Sequence, residues 1–194
     1  LQTVAIAQKN GHTAIVVLSN KGTLEESLSA MGVEVQIVNL GIIRRQYFNL
    51  SGIINRFQKW RTALGVLNEI IQSHQIDTIY SNTAAVLIGG FVARRNGLKH
   101  IWHIHEFPHL NEIQKFDFGL NWSMSFVNKN SNFVICPSLA LKQALTFYIT
   151  ENKIICIHNI YSSTFNCYVI TAICCRISYC VVSRNIYIQV ICGN

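Results

Sequence analysis

Short apolar runs that predict strands recur through the first 158 residues and constrain the fold most strongly, and the first of them has no polar alternation. Residues 13–19, for example, read TAIVVLS. Comparable runs occupy residues 33–40, 76–80, 98–104, 132–136 and 153–158. A strand that is apolar on both faces is typical of a parallel sheet covered by helices. Because helix-forming stretches separate these runs, the sequence predicts an α/β fold with a doubly wound, Rossmann-like parallel sheet.

Two of the intervening helices have distinctive signals. Within residues 53–71, apolar residues recur at spacings of four and three, which predicts an amphipathic helix; they are Ile53, Phe57, Trp60, Leu64, Leu67 and Ile71. A second helix should follow residues 76–80, where Asn82 or Thr83 can provide its N-cap. Gly89 and Gly90 would allow this apolar helix to pack closely, and Gly97 can end it in the left-handed conformation.

The end of the chain lacks this regular order of strands and helices. We place a domain boundary at Asn159 and leave residues 160–194 as an unassigned, apolar, Cys-rich tail without Asp or Glu. Residues 154–175 carry no Lys, Arg, Asp or Glu over roughly the length of a membrane span. A spanning helix is therefore one alternative for this region, and out-of-frame coding sequence is another.

The first residues resemble the later turns of an amphipathic helix, LQTVAIAQKNG, and do not begin with Met. The sequence therefore predicts a fragment.

The net charge and the cysteine content limit which partners the chain could bind and in which compartment it is expected. Sixteen basic and nine acidic residues give a net charge of +7, which permits nucleic acid, anionic lipid or a phosphorylated ligand as partner. The basic residues are scattered pairs without interleaved aromatics, which argues against nucleic acid. Seven cysteines without a CxxC pair indicate neither a disulfide framework nor a zinc site, so a reducing cytoplasm is expected.

Two polar segments follow predicted strands, where ligands bind in an open parallel sheet. Ser81, Asn82 and Thr83 end one strand and should open the next helix, whose N–H groups and dipole favour an anion such as a phosphate. Ordinary N-capping explains the same residues equally well. In the second segment, WHIHEF, strand alternation places His103 and His105 on one face, with His105 at the carboxyl end.

His105 is the stronger catalytic candidate of this segment. A histidine there can hydrogen-bond a substrate hydroxyl and titrates near neutrality, and Glu106 could orient it. His103 is a candidate substrate-binding residue, although its position inside the strand predicts mainly a packing role that stabilises the fold. The alternative for both is an ordinary structural histidine.

Two other functions remain open from the residues alone. His103, His105 and His109 have the HxH spacing of metal-dependent hydrolases, but no further His/Asp cluster completes a ligand set. Basic residues that include Lys59 and Arg61 flank Trp60 on the long helix, as on a helix lying on a membrane surface. A core helix with a solvated face is the favoured interpretation of that pattern.

The block IDTIYSNTAAVLIGGFVARRNGLKHIWHIHEF, residues 76–107, resembles the N-terminal domain of family-four glycosyltransferases. GTLEESLSAMGVEVQIVNL and NFVICPSLALKQAL extend the resemblance to roughly residues 1–159. It implies half of a GT-B fold, which has two Rossmann-like domains. The N-terminal domain binds the acceptor and the C-terminal domain binds a nucleotide-sugar donor, with no metal or other cofactor required.

The resemblance also suggests roles for individual residues. His105 matches a catalytic-centre histidine that touches the donor sugar, and Ser81, Asn82 and Thr83 match the acceptor-facing turn. Since close relatives often have Arg at the position of His105, positioning of the donor is a safer role than general-base catalysis. The family's first strand, its Gly-rich loop and its second domain are not recognisable, so this chain alone should be inactive.

The implied role of the whole enzyme is to add a sugar to a cell-surface polysaccharide or glycolipid precursor. It would act in the cytoplasm, with peripheral association at the inner membrane face and an anionic membrane surface as a possible partner.

Overall fold

The computed structural model describes residues 1–40, 50–84, 87–105, 107, 119–157 and 186–191, the last of these as backbone only. The helices are α1 (Gln2–Lys9), α2 (Thr23–Ala30), α3 (Leu50–His74), α4 (Ile88–Asn96), α5 (Leu120–Lys129) and α6 (Leu139–Thr146). The strands are β1 (Thr13–Leu18), β2 (Glu34–Ile37), β3 (Thr78–Ser81), β4 (Lys99–His103), β5 (Phe133–Cys136), β6 (Ile154–Cys156) and β7 (Ile186–Ile191).

Within the described ranges, the seven strands form one sheet in the order β2-β1-β7-β3-β4-β5-β6. Every pairing in it is parallel. Helices α2 to α6 connect β1 to β6 in turn, and the chain reverses direction across the sheet between β2 and β3. The α/β fold with a doubly wound parallel sheet, predicted from the alternating strand and helix runs, is confirmed.

The two faces of the sheet are covered by different helices. Helices α1 and α2 pack on the face of β1 that carries Val16 and Leu18. On the opposite face, Ile15 and Val17 join a core built mainly from α3 and α4. The core of β4 and β5 continues that layer with α5 and α6, and Trp102 is fully buried at its centre. This two-sided covering explains why β1 is apolar and buried on both faces.

Strand β7 was not predicted, and it lies at the middle of the sheet. Its backbone pairs with β1 on one side and β3 on the other, so that Ile188 is in register with both Ile15 and Ile79. Without it, the facing backbone N–H and C=O groups of β1 and β3 would lack partners. Part of the tail left unassigned from the sequence therefore supplies a central strand of the sheet.

Helix α4 differs from one sequence prediction and agrees with two others. It begins at Ile88 with Leu87 as N-cap residue and no side-chain cap, so Asn82 and Thr83 do not cap it. It ends as predicted at Gly97, whose φ of 66° lies in the left-handed region. Close packing at Gly89 is also confirmed, since a Cβ there would lie 2.2 Å from Ser81 Oγ.

The alternative of a membrane-spanning helix over residues 154–175 falls mostly outside the described residues. Its first part is strand β6, since Ile154–Cys156 pairs with β5. In the parts of the chain that the structure describes, no helix is both long and apolar enough to cross a membrane.

Candidate functional site at the carboxyl edge of the sheet

The two polar segments singled out from the sequence meet at one edge of the sheet. Strands β3 and β4 are parallel neighbours with Ser81 in register with Trp102, so the residues that follow them emerge together. The Nε2 atom of His105 lies 3.1 Å from Oδ1 of Asn82, at hydrogen-bond distance. His105 is exposed and Asn82 is half-buried, so this pair faces the solvent side of the edge.

His103 and His105 share a face of β4, as strand alternation predicts. Their ring centroids are 3.9 Å apart with planes inclined by 35°. Burial lowers the pKa of His103 to about 3, and the neighbouring His105 ring adds to that shift. His103 is therefore neutral near pH 7, and His105 packs on an uncharged ring.

Tyr80 of β3 completes this group, and the sequence analysis did not identify it. Its hydroxyl lies 2.5 Å from Nδ1 of His103. Burial raises the pKa of the Tyr80 hydroxyl, so the phenol keeps its proton. The sequence signal was a Tyr beside Ile79 in a short strand, which is also typical of an ordinary core position.

A second histidine network lies deeper between the same two strands. In His100, Nδ1 is 2.6 Å from the carbonyl oxygen of Asn130, and Nε2 is 2.9 Å from Oγ of Ser81. Since Nδ1 must donate to the carbonyl, Nε2 accepts from the serine hydroxyl. Burial lowers the pKa of His100 to about 4, so the ring is neutral with both nitrogens bonded. This arrangement joins β3, β4 and the turn before β5.

The structure changes the interpretation of Ser81 and Thr83. The predicted anion site at a helix N-terminus does not form, because α4 begins only at Ile88. Ser81 is fully buried as the last residue of β3, and its hydroxyl bonds to His100. Thr83 is buried too, and its carbonyl oxygen accepts a 2.7 Å hydrogen bond from Nε1 of Trp102. Of the three residues, Asn82 is the one that contacts His105.

Two residues of the candidate set lie outside the described residues. They are Glu106, predicted to orient His105, and His109, the third histidine of the metal alternative. Within the described ranges, no group of three His, Cys, Asp or Glu residues could hold a metal ion. In addition, Nδ1 of His103 already accepts the Tyr80 hydroxyl. The described geometry therefore gives the metal-dependent hydrolase no further support.

Solved structures with this fold are GT-B glycosyltransferases. HepE of Anabaena, in complex with UDP-glucose, matches with a TM-score of 0.60 and 18% identity, over 82% of this chain and 40% of that chain. UGT89C1 of Arabidopsis thaliana, complexed with UDP-L-rhamnose, matches with a TM-score of 0.51 and 13% identity, over 99% and 64% of the two chains. At these identities the likeness establishes the fold alone, a Rossmann-like part of a GT-B glycosyltransferase.

The sequence itself also identifies the family to which the chain belongs. The model of Glycosyltransferase Family 4 matches residues 5–162, and the chain belongs to that family. Comparison with curated protein sequences finds no match. The chain spans 40% of the length of HepE.

Proposed function

We propose that this chain is the acceptor-binding part of a nucleotide-sugar-dependent glycosyltransferase, with His105 and Asn82 at the centre of its site. The observation that carries the proposal is the His105–Asn82 contact at the carboxyl edge of the sheet. It joins two segments that the family resemblance and the general behaviour of open α/β sheets both associate with ligands. An exposed imidazole beside an amide can exchange these hydrogen bonds for contacts with sugar hydroxyls.

His105 is proposed to position the donor sugar, and Asn82 to bind the acceptor. His103 lies directly against His105 and is kept among the proposed substrate-binding residues. Thr83 belongs to the same turn, and Glu106 is proposed to orient His105. Ser81 is left out of the binding set because its hydroxyl is buried against His100.

The donor is proposed to be a UDP-sugar, since the structures of HepE and UGT89C1 hold UDP-glucose and UDP-L-rhamnose. The proposed acceptor is a glycan or lipid-linked precursor of a surface polysaccharide or glycolipid. Transfer would require a second, donor-binding Rossmann-like domain together with this one, so the 194-residue chain alone should not turn over substrate. The proposed reaction needs no metal, so excess EDTA should leave the transfer rate of the two-domain enzyme unchanged.

A transfer assay tests this assignment. UDP-glucose and UDP-L-rhamnose are the first probes, with lipid-linked and soluble glycans as acceptors. The two-domain enzyme should transfer sugar, and the 194-residue chain should not. Release of a sugar from an acceptor without nucleotide-sugar consumption, or dependence of activity on Zn²⁺ or Mn²⁺, would instead favour a hydrolase.

A row of aromatic side chains supports peripheral association with a membrane. Trp60 of α3 contacts Phe91 of α4 with ring centroids 4.8 Å apart. Phe91 stacks on Phe126 of α5 at 6.3 Å, and Phe126 stacks on Trp122 at 5.6 Å. Phe91 is 43% exposed and Trp122 is 49% exposed. This aromatic row crosses three helices on the outer surface of one helical layer.

The charges of the same three helices favour an anionic surface. Their exposed basic side chains are Lys59, Arg61, Arg94, Arg95 and Lys129, and their only acidic residue is Glu69. Exposed aromatic and basic groups on the same helices are typical of proteins bound at the lipid interface. We therefore propose that the aromatic row contacts the anionic inner face of the cytoplasmic membrane.

Vesicle sedimentation tests the membrane proposal. Trp122→Ser and Phe91→Ser should weaken binding to phosphatidylglycerol vesicles at low salt. Phe147→Ser is the matched control, because Phe147 is 83% exposed but lies outside the aromatic row. Equal losses for all three variants, or no binding by the parent chain, would remove this part of the proposal.

A further inference from the structure

The hydroxyl of Tyr80 has a defined direction of hydrogen bonding. Tyr80 is buried on the face of the sheet opposite α3 to α6, together with Ile101 and Ile135. Thr3 of α1 hydrogen-bonds to the phenol, which in turn lies 2.5 Å from Nδ1 of His103. The hydrogen bond from Thr3 lowers the phenol pKa, as a donor to the phenol oxygen does, so the phenol's own O–H is left to donate to Nδ1.

This direction determines which nitrogen of His103 carries the proton. A neutral imidazole has one N–H, and acceptance at Nδ1 leaves that proton on Nε2. Nε2 is buried and has no hydrogen-bond partner among the described residues. An unpaired buried N–H is uncommon in a native structure and requires an explanation. His100 lies three residues earlier in the same strand, on its other face. It shows the usual case, in which both ring nitrogens are hydrogen-bonded.

We propose that Tyr80 is a positioning residue, which holds His103 as the neutral Nε2–H tautomer and so keeps one buried donor available for a substrate oxygen beside His105. This inference rests on the proposed glycosyltransferase site and adds a residue to it. Because Nε2 is buried and the His105 ring packs 3.9 Å from the His103 ring, a ligand would reach this donor by displacing the exposed His105 ring. Substrate hydroxyl or phosphate oxygens are the groups that an N–H donor would bind.

The uncharged state of His103 has a second consequence for His105. A protonated His103 at this distance would place a like charge against any positive charge on His105. Bonding of Nδ1 to a phenol that donates favours the neutral ring, because a protonated Nδ1 could no longer accept. Tyr80 therefore acts on the site through His103 and does not itself touch the substrate.

Nitrogen-15 NMR of histidine-labelled full chain tests the tautomer directly. In the parent chain, His103 should show a protonated Nε2 and an unprotonated, hydrogen-bonded Nδ1. In Tyr80→Phe this pattern should change to a mixture of tautomers. Tyr148→Phe is the control: Tyr148 is a half-buried residue just after α6, and the substitution should leave the pattern unchanged. Protonation at Nδ1 in the parent chain would overturn the proposal even if Tyr80→Phe did not fold.

Kinetics of the two-domain enzyme supply the functional readout. Tyr80→Phe should lower kcat/KM roughly tenfold, the effect of one hydrogen bond, and Tyr148→Phe should leave it unchanged. An altered tautomer with unchanged kcat/KM would overturn the positioning role while leaving the glycosyltransferase assignment intact. A parent enzyme that transfers no sugar would refute the proposed function, and the NMR result would still decide the tautomer.

Discussion

Two of the contacts that join a histidine of the β4 segment to a residue of the β3 segment differ in burial and in hydrogen bonding. The inner pair, His100 and Ser81, lies fully inside the domain, and the Asn130 carbonyl occupies the other ring nitrogen of His100. The outer pair, His105 and Asn82, lies beyond the ends of the strands, where His105 is exposed. Similar side chains on the same two strands thus have different environments only a few residues apart.

This difference in burial predicts different roles for the two pairs, one in the stability of the fold and one in sugar transfer. A buried network with every group bonded cannot exchange its partners for a ligand, and removing one member leaves another unpaired. Mutation of an exposed pair changes the free energy of unfolding only a little, because water replaces the missing partner. We therefore expect changes at the inner pair to affect unfolding and changes at the outer pair to affect sugar transfer.

The largest expected effect is at Gly89, which packs α4 against the inner pair. In Gly89→Ala the new Cβ would lie 2.2 Å from Ser81 Oγ, so the serine must move and its bond to His100 must break. We expect a loss of about 3 to 5 kcal/mol in the free energy of unfolding, measured by urea titration. Gly65→Ala in α3 is the control: its Cβ meets nothing within 4 Å, so it should be neutral or slightly stabilising. Equal effects of the two substitutions would refute the close contact.

His100→Ala should cost somewhat less. It removes two hydrogen bonds and leaves the Asn130 carbonyl and the Ser81 hydroxyl unpaired beside a small cavity. The expected loss is about 2 to 4 kcal/mol in the free energy of unfolding. A loss below about 1 kcal/mol would mean that the network contributes no more than a surface interaction.

Acid should weaken the inner pair. The pKa of His100 is about 4 in the folded chain and near 6.5 when unfolded, so the stabilisation is complete above pH 6.5 and is lost as the pH falls towards 4. His100 should thus account for a loss of about 2 kcal/mol between pH 7 and pH 5. Urea titrations at both pH values should show a smaller loss for His100→Asn, because His103 and His12, whose pKa values burial also lowers, still contribute in the same direction. Identical pH dependence in the two proteins would contradict the buried, neutral state of His100.

His105→Ala should have the smallest effect on stability. Because His105 is exposed, the free energy of unfolding should change by less than about 0.5 kcal/mol. His103→Ala serves as the comparison and should destabilise by about 1 to 3 kcal/mol, since the buried Tyr80 hydroxyl loses its acceptor. Thermal melting of both variants measures the difference, and a large destabilisation by His105→Ala would place that residue in the fold instead.

Features with a local cause were predictable from the sequence. Strand alternation has a period of two, so it correctly placed His103 and His105 on one face. The apolar spacing of α3 correctly identified a helix in which Leu64, Leu67 and Ile71 are buried. The same pattern wrongly suggested burial of Phe57, which is 58% exposed near the beginning of the helix.

Features that depend on distant residues were not predictable. The role of His100 requires Ser81 and Asn130, which lie 19 and 30 residues away in the chain. Strand β7 pairs with β1 and β3, which lie far from it in the sequence, so no local pattern reveals its place in the sheet. The first turn of α4 was misplaced because Asn82 and Thr83 are common N-cap residues, although here they precede the helix.

The rate of sugar transfer by the two-domain enzyme, measured for His105→Ala and His100→Ala at a temperature where both remain folded, tests the central claim most directly. We predict that His105→Ala lowers kcat/KM about 100-fold or more, the usual loss when a contact made at the transition state is removed. His100→Ala should retain a rate close to that of the parent, because its ring bonds to the sheet and to the turn before β5. Near-parental transfer by His105→Ala, or a greater loss of transfer in folded His100→Ala, would contradict the assignment of chemistry to the outer pair.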